Sequence, residues 1–117
     1  MERLFVYGSL QPGESNEHVL AELSGEWQPA VIKGTLHEAG WGTDMGYPGL
    51  VLDDNGSDVQ GYVLTSADLA NHWVALDKFE GDEYERVAAT VIVKDGERTG
   101  ERVEAYVYVI RQWEMPS

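Results

Sequence analysis

The sequence predicts an α+β domain with a curled or closed sheet. Three observations point there: several short apolar or alternating runs, tight Gly-containing turns between them, and one well-marked helix. At 117 residues the chain makes a single domain, residues 1–117, large enough to bury a core without cross-links. The first element is Arg3-Leu-Phe-Val-Tyr7, an apolar run cut off by Gly8-Ser9, as in a central strand feeding a turn. Residues 11–15 read as loop and residues 17–23 as a short helix. Residues 31–37 alternate weakly, and Gly34 among them marks a bulge or a close backbone approach. Residues 39–49 are rich in Gly and carry Trp41, Tyr47 and Pro48, the composition of an irregular loop that lines a pocket.

Asn55-Gly56, between Leu50-Val-Leu52 and Val59-Gln-Gly-Tyr-Val-Leu64, predicts a type I′ hairpin. A helix is expected over residues 66–81, with Ser66 as N-cap, Asp68 in the first turn and Gly81 as the stop signal. Phe79 is expected to close it against the core. A strand over Tyr84–Val93 puts Val87, Ala89, Val91 and Val93 on one face, with Tyr84 and Arg86 on the other. Asp95-Gly96 lies in the connection. The strand Arg102–Ile110 returns with Val103, Ala105, Val107 and Val109 alternating against Tyr106 and Tyr108.

Composition narrows the function. Eight basic against 21 acidic residues give a net charge of −13, which argues against nucleic acid and anionic membranes as partners. The acids are spread along the chain, as on a solvated, mutually repelling surface, and a monomer is expected. No apolar run reaches the ~20 residues needed to span a bilayer, and no secretory signal is visible, so a cytoplasmic location is expected. Without cysteine there is no thiol chemistry or disulfide. His18, His37 and His72 lack metal-binding spacing, so neither a metal nor a cofactor is expected.

Glu80 carries the functional signal. Leu69, Trp73, Leu76 and Glu80 are spaced 4, 3 and 4, which places them within roughly 40–60° on a helix surface. The apolar stripe thus ends in a carboxylate at a helix C-terminus, a setting that disfavours the charge and raises a carboxyl's pKa, as a general acid/base requires. The competing reading is a helix that frays before Glu80 and releases it to water. A second constellation, Tyr7-Gly8-Ser9-Leu10, can point successive backbone N–H groups at an anion such as a carboxylate, or can simply be a strand exit. Arg86, sharing a strand face with Tyr84, can pair with Glu80 or with a ligand's carboxylate.

Taken together, these segments resemble the γ-glutamylcyclotransferase-like (AIG2-like) superfamily of the small bacterial type. Phe5-Val-Tyr-Gly-Ser-Leu10 is similar to its opening strand and substrate loop, and Asn16-x-His18 to a pair that often follows. Tyr47-Pro48-Gly49 is similar to a loop of the small members, and Leu76-Asp-Lys-Phe-Glu-Gly81 with Tyr84-x-Arg86 to its acidic motif. The resemblance runs from residue 4 to about residue 110. It implies a small mixed β-barrel with flanking helices and an enzyme of acyltransferase or lyase type. The reaction it implies cyclises a γ-glutamyl amine or γ-glutamyl amino acid, releasing 5-oxoproline and a free amine. Glu80 would be the catalytic base, and Tyr7, Gly8, Ser9 and Leu10 would bind substrate, with Tyr84 and Arg86 matching the motif as further binding residues. The alternative is a non-catalytic module that binds a small carboxylated metabolite. A third reading, an interaction protein using its acidic surface, leaves an inward glutamate without a purpose.

Overall fold

Six strands alternate with two short helices and a 3₁₀ turn in the computed structural model, which describes residues 2–8, 11–13, 18–21, 23–38, 48–80, 84–94 and 100–110. The expectations placed on Ser9, Leu10, Asn16, residues 39–47, Gly81, Asp95 and Gly96 lie outside the described residues. In chain order the elements are β1 (Glu2–Val6), α1 (His18–Ala21), β2 (Glu26–Glu38), β3 (Pro48–Leu52) and β4 (Ser57–Ser66). A 3₁₀ helix (Ala67–Asn71), α2 (Trp73–Glu80), β5 (Tyr84–Val93) and β6 (Arg102–Ile110) follow. The strands run in the order β3-β2-β4-β1-β6-β5, and β5 pairs back onto β2. That last pairing closes β2, β4, β1, β6 and β5 into a five-stranded barrel, with β3 attached to β2 as a flap. The barrel is mixed, because β1 and β6 are parallel (Phe5 beside Val107) while the other pairs are antiparallel.

Strand alternation sorts the apolar residues into two cores. Phe5, Val63, Val91, Val93 and Val107 point into the barrel, where Ala30, Ile32, Leu50, Val59 and Ala105 join them. Their sequence neighbours Leu4, Val6, Leu64 and Tyr108 face outward and are covered by Leu20, Leu23, Leu69 and Leu76. The alternation expected for β5 and β6 is therefore the division between the two cores, and β1 is central as expected, between β4 and β6.

Three expectations are corrected. First, Asn55-Gly56 is not a hairpin turn. β3 and β4 are both antiparallel to β2, so they run in the same direction, and they flank β2 rather than pairing with each other. The connecting turn closes from the Gly56 N–H to the Asp53 carbonyl at 2.8 Å. Among its residues none has positive φ, as a type I′ turn would require. Instead the Asp53 carboxylate accepts the Asn55 N–H at 2.9 Å and shapes the turn locally. The glycine is needed for space: a Cβ on Gly56 would lie 2.7 Å from the Gly34 carbonyl oxygen, and one on Gly34 would lie 2.6 Å from that of Val51. Gly34 is thus the close backbone approach its position in an alternating run suggested.

Second, the helix is not continuous. Ser66 does cap it, accepting the Asp68 N–H at 3.1 Å, but what it caps is the 3₁₀ helix. His72, with φ −117° and ψ −4°, separates that turn from α2. The Ser66 hydroxyl also donates to the Ser24 carbonyl, and Asp68 takes the Ser24 N–H at 2.9 Å, so the side chains here fasten the loop before β2. Third, Phe79 does not close α2 against the core but is 44% exposed. Leu76 is the buried residue among those described in α2, and Phe79, three residues on, stands about 60° around the helix from it, at the edge of the covered face. No helix among the described residues is long and apolar enough to cross a membrane.

Candidate functional site

The end of the barrel where β1 and β6 finish and β5 begins gathers most of the residues singled out above. Tyr7 directly follows β1, and its ring joins the interior core, 6.4 Å from the ring of Phe5. Its hydroxyl donates to the Tyr108 carbonyl oxygen at 2.6 Å and accepts the Leu50 N–H at 3.2 Å. One phenol therefore ties the exit of β1 to both β6 and β3. Beyond it the chain turns tightly: the Gly8 carbonyl accepts the Gln11 backbone N–H at 3.1 Å and the Gln11 side-chain amide at 3.0 Å.

On the outer face of the same end, Asp77 of α2 collects three donor contacts. The Tyr108 hydroxyl donates to its Oδ1 at 2.7 Å. Arg86 of β5 donates through Nε to Oδ1 at 3.0 Å and through Nη2 to Oδ2 at 3.4 Å, the fork geometry that suits a carboxylate. The flat face of the same guanidinium lies 4.4 Å from the Trp73 ring and 5.1 Å from the Tyr106 ring, which themselves meet edge to face at 5.1 Å. Such cation–π contacts suit arginine, whose planar charge stacks on aromatic rings. The pairing also places an acid near a helix C-terminus, where the backbone dipole works against it, beside donors that offset the cost.

Tyr108 joins the two halves. Its backbone carbonyl holds Tyr7 and its side-chain hydroxyl holds Asp77, so the strand exit and the last turn of α2 are fixed to one residue of β6. A family model described as gamma-glutamyl cyclotransferase, AIG2-like, matches residues 4–117. The chain belongs to this family.

Solved structures agree with that membership. The chain is similar to an AIG2-like protein from Mus musculus at 25% identity and a TM-score of 0.75, over 99% of this chain and 80% of that one. It is similar to YkqA from Bacillus subtilis at 29% identity and a TM-score of 0.69, over 94% of this chain. It spans only 36% of the length of YkqA. It is also similar to At5g39720.1 from Arabidopsis thaliana at 29% identity and a TM-score of 0.67, over 98% of this chain and 72% of that one. No curated protein sequence matches the chain.

Within this family fold, Tyr7 and Gly8 sit at the end of β1, Tyr84 opens β5, and Arg86 follows two residues later beside Tyr108. Glu80 is the last residue of α2, and its side chain lies outside the described residues, as do Ser9 and Leu10. Arg86 is engaged with Asp77, a partner that the sequence reading did not name for it. Asp77 itself was missed, although it stands one turn after Trp73 and three residues before Glu80. Its i,i+4 spacing from Trp73 was the available signal, but nothing in the sequence shows that Arg86 and Tyr108 converge on that row.

Proposed function

We propose that this AIG2-like cyclotransferase cyclises a γ-glutamyl amine or γ-glutamyl amino acid, releasing 5-oxoproline and a free amine, with Glu80 as general acid/base. One observation carries the reading: in a chain of this family, Tyr7 at the exit of β1 and Asp77 in the last turn of α2 are both fastened to Tyr108 at one end of the barrel. In the reaction the substrate's own α-amine attacks its γ-carbonyl carbon, a new C–N bond closes the five-membered lactam, and the original amide C–N bond breaks. Holding the substrate chain folded makes the attack nearly unimolecular. Glu80 takes one proton from the α-ammonium, which frees the amine to attack, and gives it to the departing nitrogen. The second proton of the new C–N nitrogen follows the same route as the product leaves as an ammonium. Because the nucleophile and the electrophile belong to one molecule, the protein has to supply a fold for the substrate, a proton carrier and donors for the developing oxyanion. Backbone N–H groups at Gly8, Ser9 and Leu10 are the donors proposed for the α-carboxylate and that oxyanion. Tyr84 would line the same end of the barrel, where β5 begins.

The test is release of 5-oxoproline from a panel of γ-glutamyl dipeptides and amines by wild type and Glu80→Gln. Turnover by wild type and its loss, by at least about 100-fold, in a folded Glu80→Gln protein would support the reading. An active Glu80→Gln enzyme would remove Glu80 from the chemistry. A wild type inert to the whole panel would favour the binding module, to be probed with small carboxylates.

A further inference from the structure

Arg86 matches a motif position expected to bind substrate, and its guanidinium is paired with Asp77 and stacked on two aromatic rings. We infer that Asp77 and Arg86 are positioning residues that, with the Tyr108 hydroxyl, fix the last turn of α2, the turn that carries Glu80. The inference rests on the reading of Glu80 as the general acid/base.

α2 has eight residues, about two turns, and a helix of that length does not persist on its own in water. Its hydrophobic anchorage is thin. Leu76 is buried and Trp73 half-buried, but Val74 is 72% exposed and Phe79 44%. Besides Leu76 and Trp73, which meets the Tyr106 ring edge to face, the described contacts that bind the helix to the barrel are those of Asp77. Arg86 grips α2 at two points one turn apart, covering Trp73 with its face and holding Asp77 with Nε and Nη2. Tyr108 adds a third bond from β6. Glu80 follows three residues later, about 4.5 Å along the helix axis. Arg86 thus directs Nε and Nη2 to Asp77 and its face to two aromatic rings.

Displacement of a catalytic group by about 1 Å can cost about 100-fold in rate. Arg86→Gln and Asp77→Asn are therefore expected to lower kcat about 10- to 100-fold while KM changes by less than about twofold. The double variant should be no worse than the poorer single, because the two residues act as one unit. The kcat–pH profile should shift with kcat in both variants, a response that general loss of stability would not give. Tyr108→Phe keeps the ring, removes one hydroxyl and should fold; it is expected to lower kcat in the same sense by a smaller factor. Amide hydrogen exchange over residues 77–80 should accelerate in all three, with β1 and β4 unchanged.

A large rise in KM at constant kcat for Arg86→Gln, with Asp77→Asn behaving as wild type, would make Arg86 a substrate ligand and overturn the inference. So would wild-type kcat and unchanged exchange in Tyr108→Phe. If wild type releases no 5-oxoproline, or Glu80→Gln retains its rate, the underlying reading of Glu80 fails separately. The exchange measurement then decides alone: acceleration over residues 77–80 sustains the clamp, and unchanged exchange ends it.

Discussion

Removing one oxygen atom, in Tyr7→Phe, should weaken the whole barrel. Among the described residues the hydroxyl makes two partly buried bonds, to the Tyr108 carbonyl at 2.6 Å and from the Leu50 N–H at 3.2 Å, between segments 101 and 43 residues away in sequence. Each such bond contributes about 0.5–1.5 kcal/mol net, so their joint loss costs about 1–3 kcal/mol. The ring remains, and with it the packing against Phe5, so no cavity term is added. For a domain of this size about 4 °C is lost per kcal/mol, which gives a fall in Tm of about 4–12 °C. Urea unfolding followed by circular dichroism gives the free energy, and amide exchange at Leu50 localises it. A variant within about 0.5 kcal/mol of wild type, with undiminished protection at Leu50, would refute the bridging role. Kinetics separate this from substrate binding. A bridge alone lowers stability and leaves KM close to wild type below the melting range, whereas a hydroxyl that also holds ligand raises KM.

The remaining predictions concern the close approach of two strands and one ion pair. A Cβ on Gly61 would stand 2.1 Å from the Val6 carbonyl oxygen and 2.8 Å from the Phe5 ring. Gly61→Ala should therefore cost about 1–3 kcal/mol or more in a urea melt, and an unchanged midpoint would mean that β1 and β4 have slack. Lys33 Nζ lies 2.6 Å from Asp58 Oδ1 on the surface, and its hydrogen bond holds the Asp58 carboxyl below the ordinary carboxylate value. Because the folded value is the lower one, this small contribution is present above the ordinary carboxyl pKa and is lost as pH falls through the lowered value. In Lys33→Met, carboxyl NMR should show Asp58 titrating higher than in wild type; an unmoved midpoint would contradict the assignment.

What the sequence revealed and what it hid follow from how local each cause is. The bounds of β5 and β6 were legible because valine and alanine recur there at every second position, and Ser66 because a cap acts on a neighbour two residues away. The Asn55-Gly56 turn misled because the dipeptide's usual reason, positive φ, competes with a second reason that only the fold supplies. There the glycine makes room for the backbone of Gly34, 22 positions earlier. Phe79 misled because the side of α2 that meets the sheet also includes Asp77, whose partners Arg86 and Tyr108 come from two other elements. At the site, the strand exit at Tyr7 and the helix end at Glu80 were legible as motifs. The residue that joins them was not, since the Tyr108 bonds span 101 and 31 positions.

The parallel pairing of β1 with β6 also sets an order of assembly. β1 is made first, and its partner β4 follows, but its other edge stays open until the last strand, Arg102–Ile110, has been made. The barrel cannot close in stages from its N-terminus, and the edge of β1 remains a template for wrong pairing during that wait. Folding should accordingly run in milliseconds to seconds, as for other chains whose contacts are mostly distant in sequence. A slowly folding intermediate would be one with β2 and β4 paired and β1 still searching for β6.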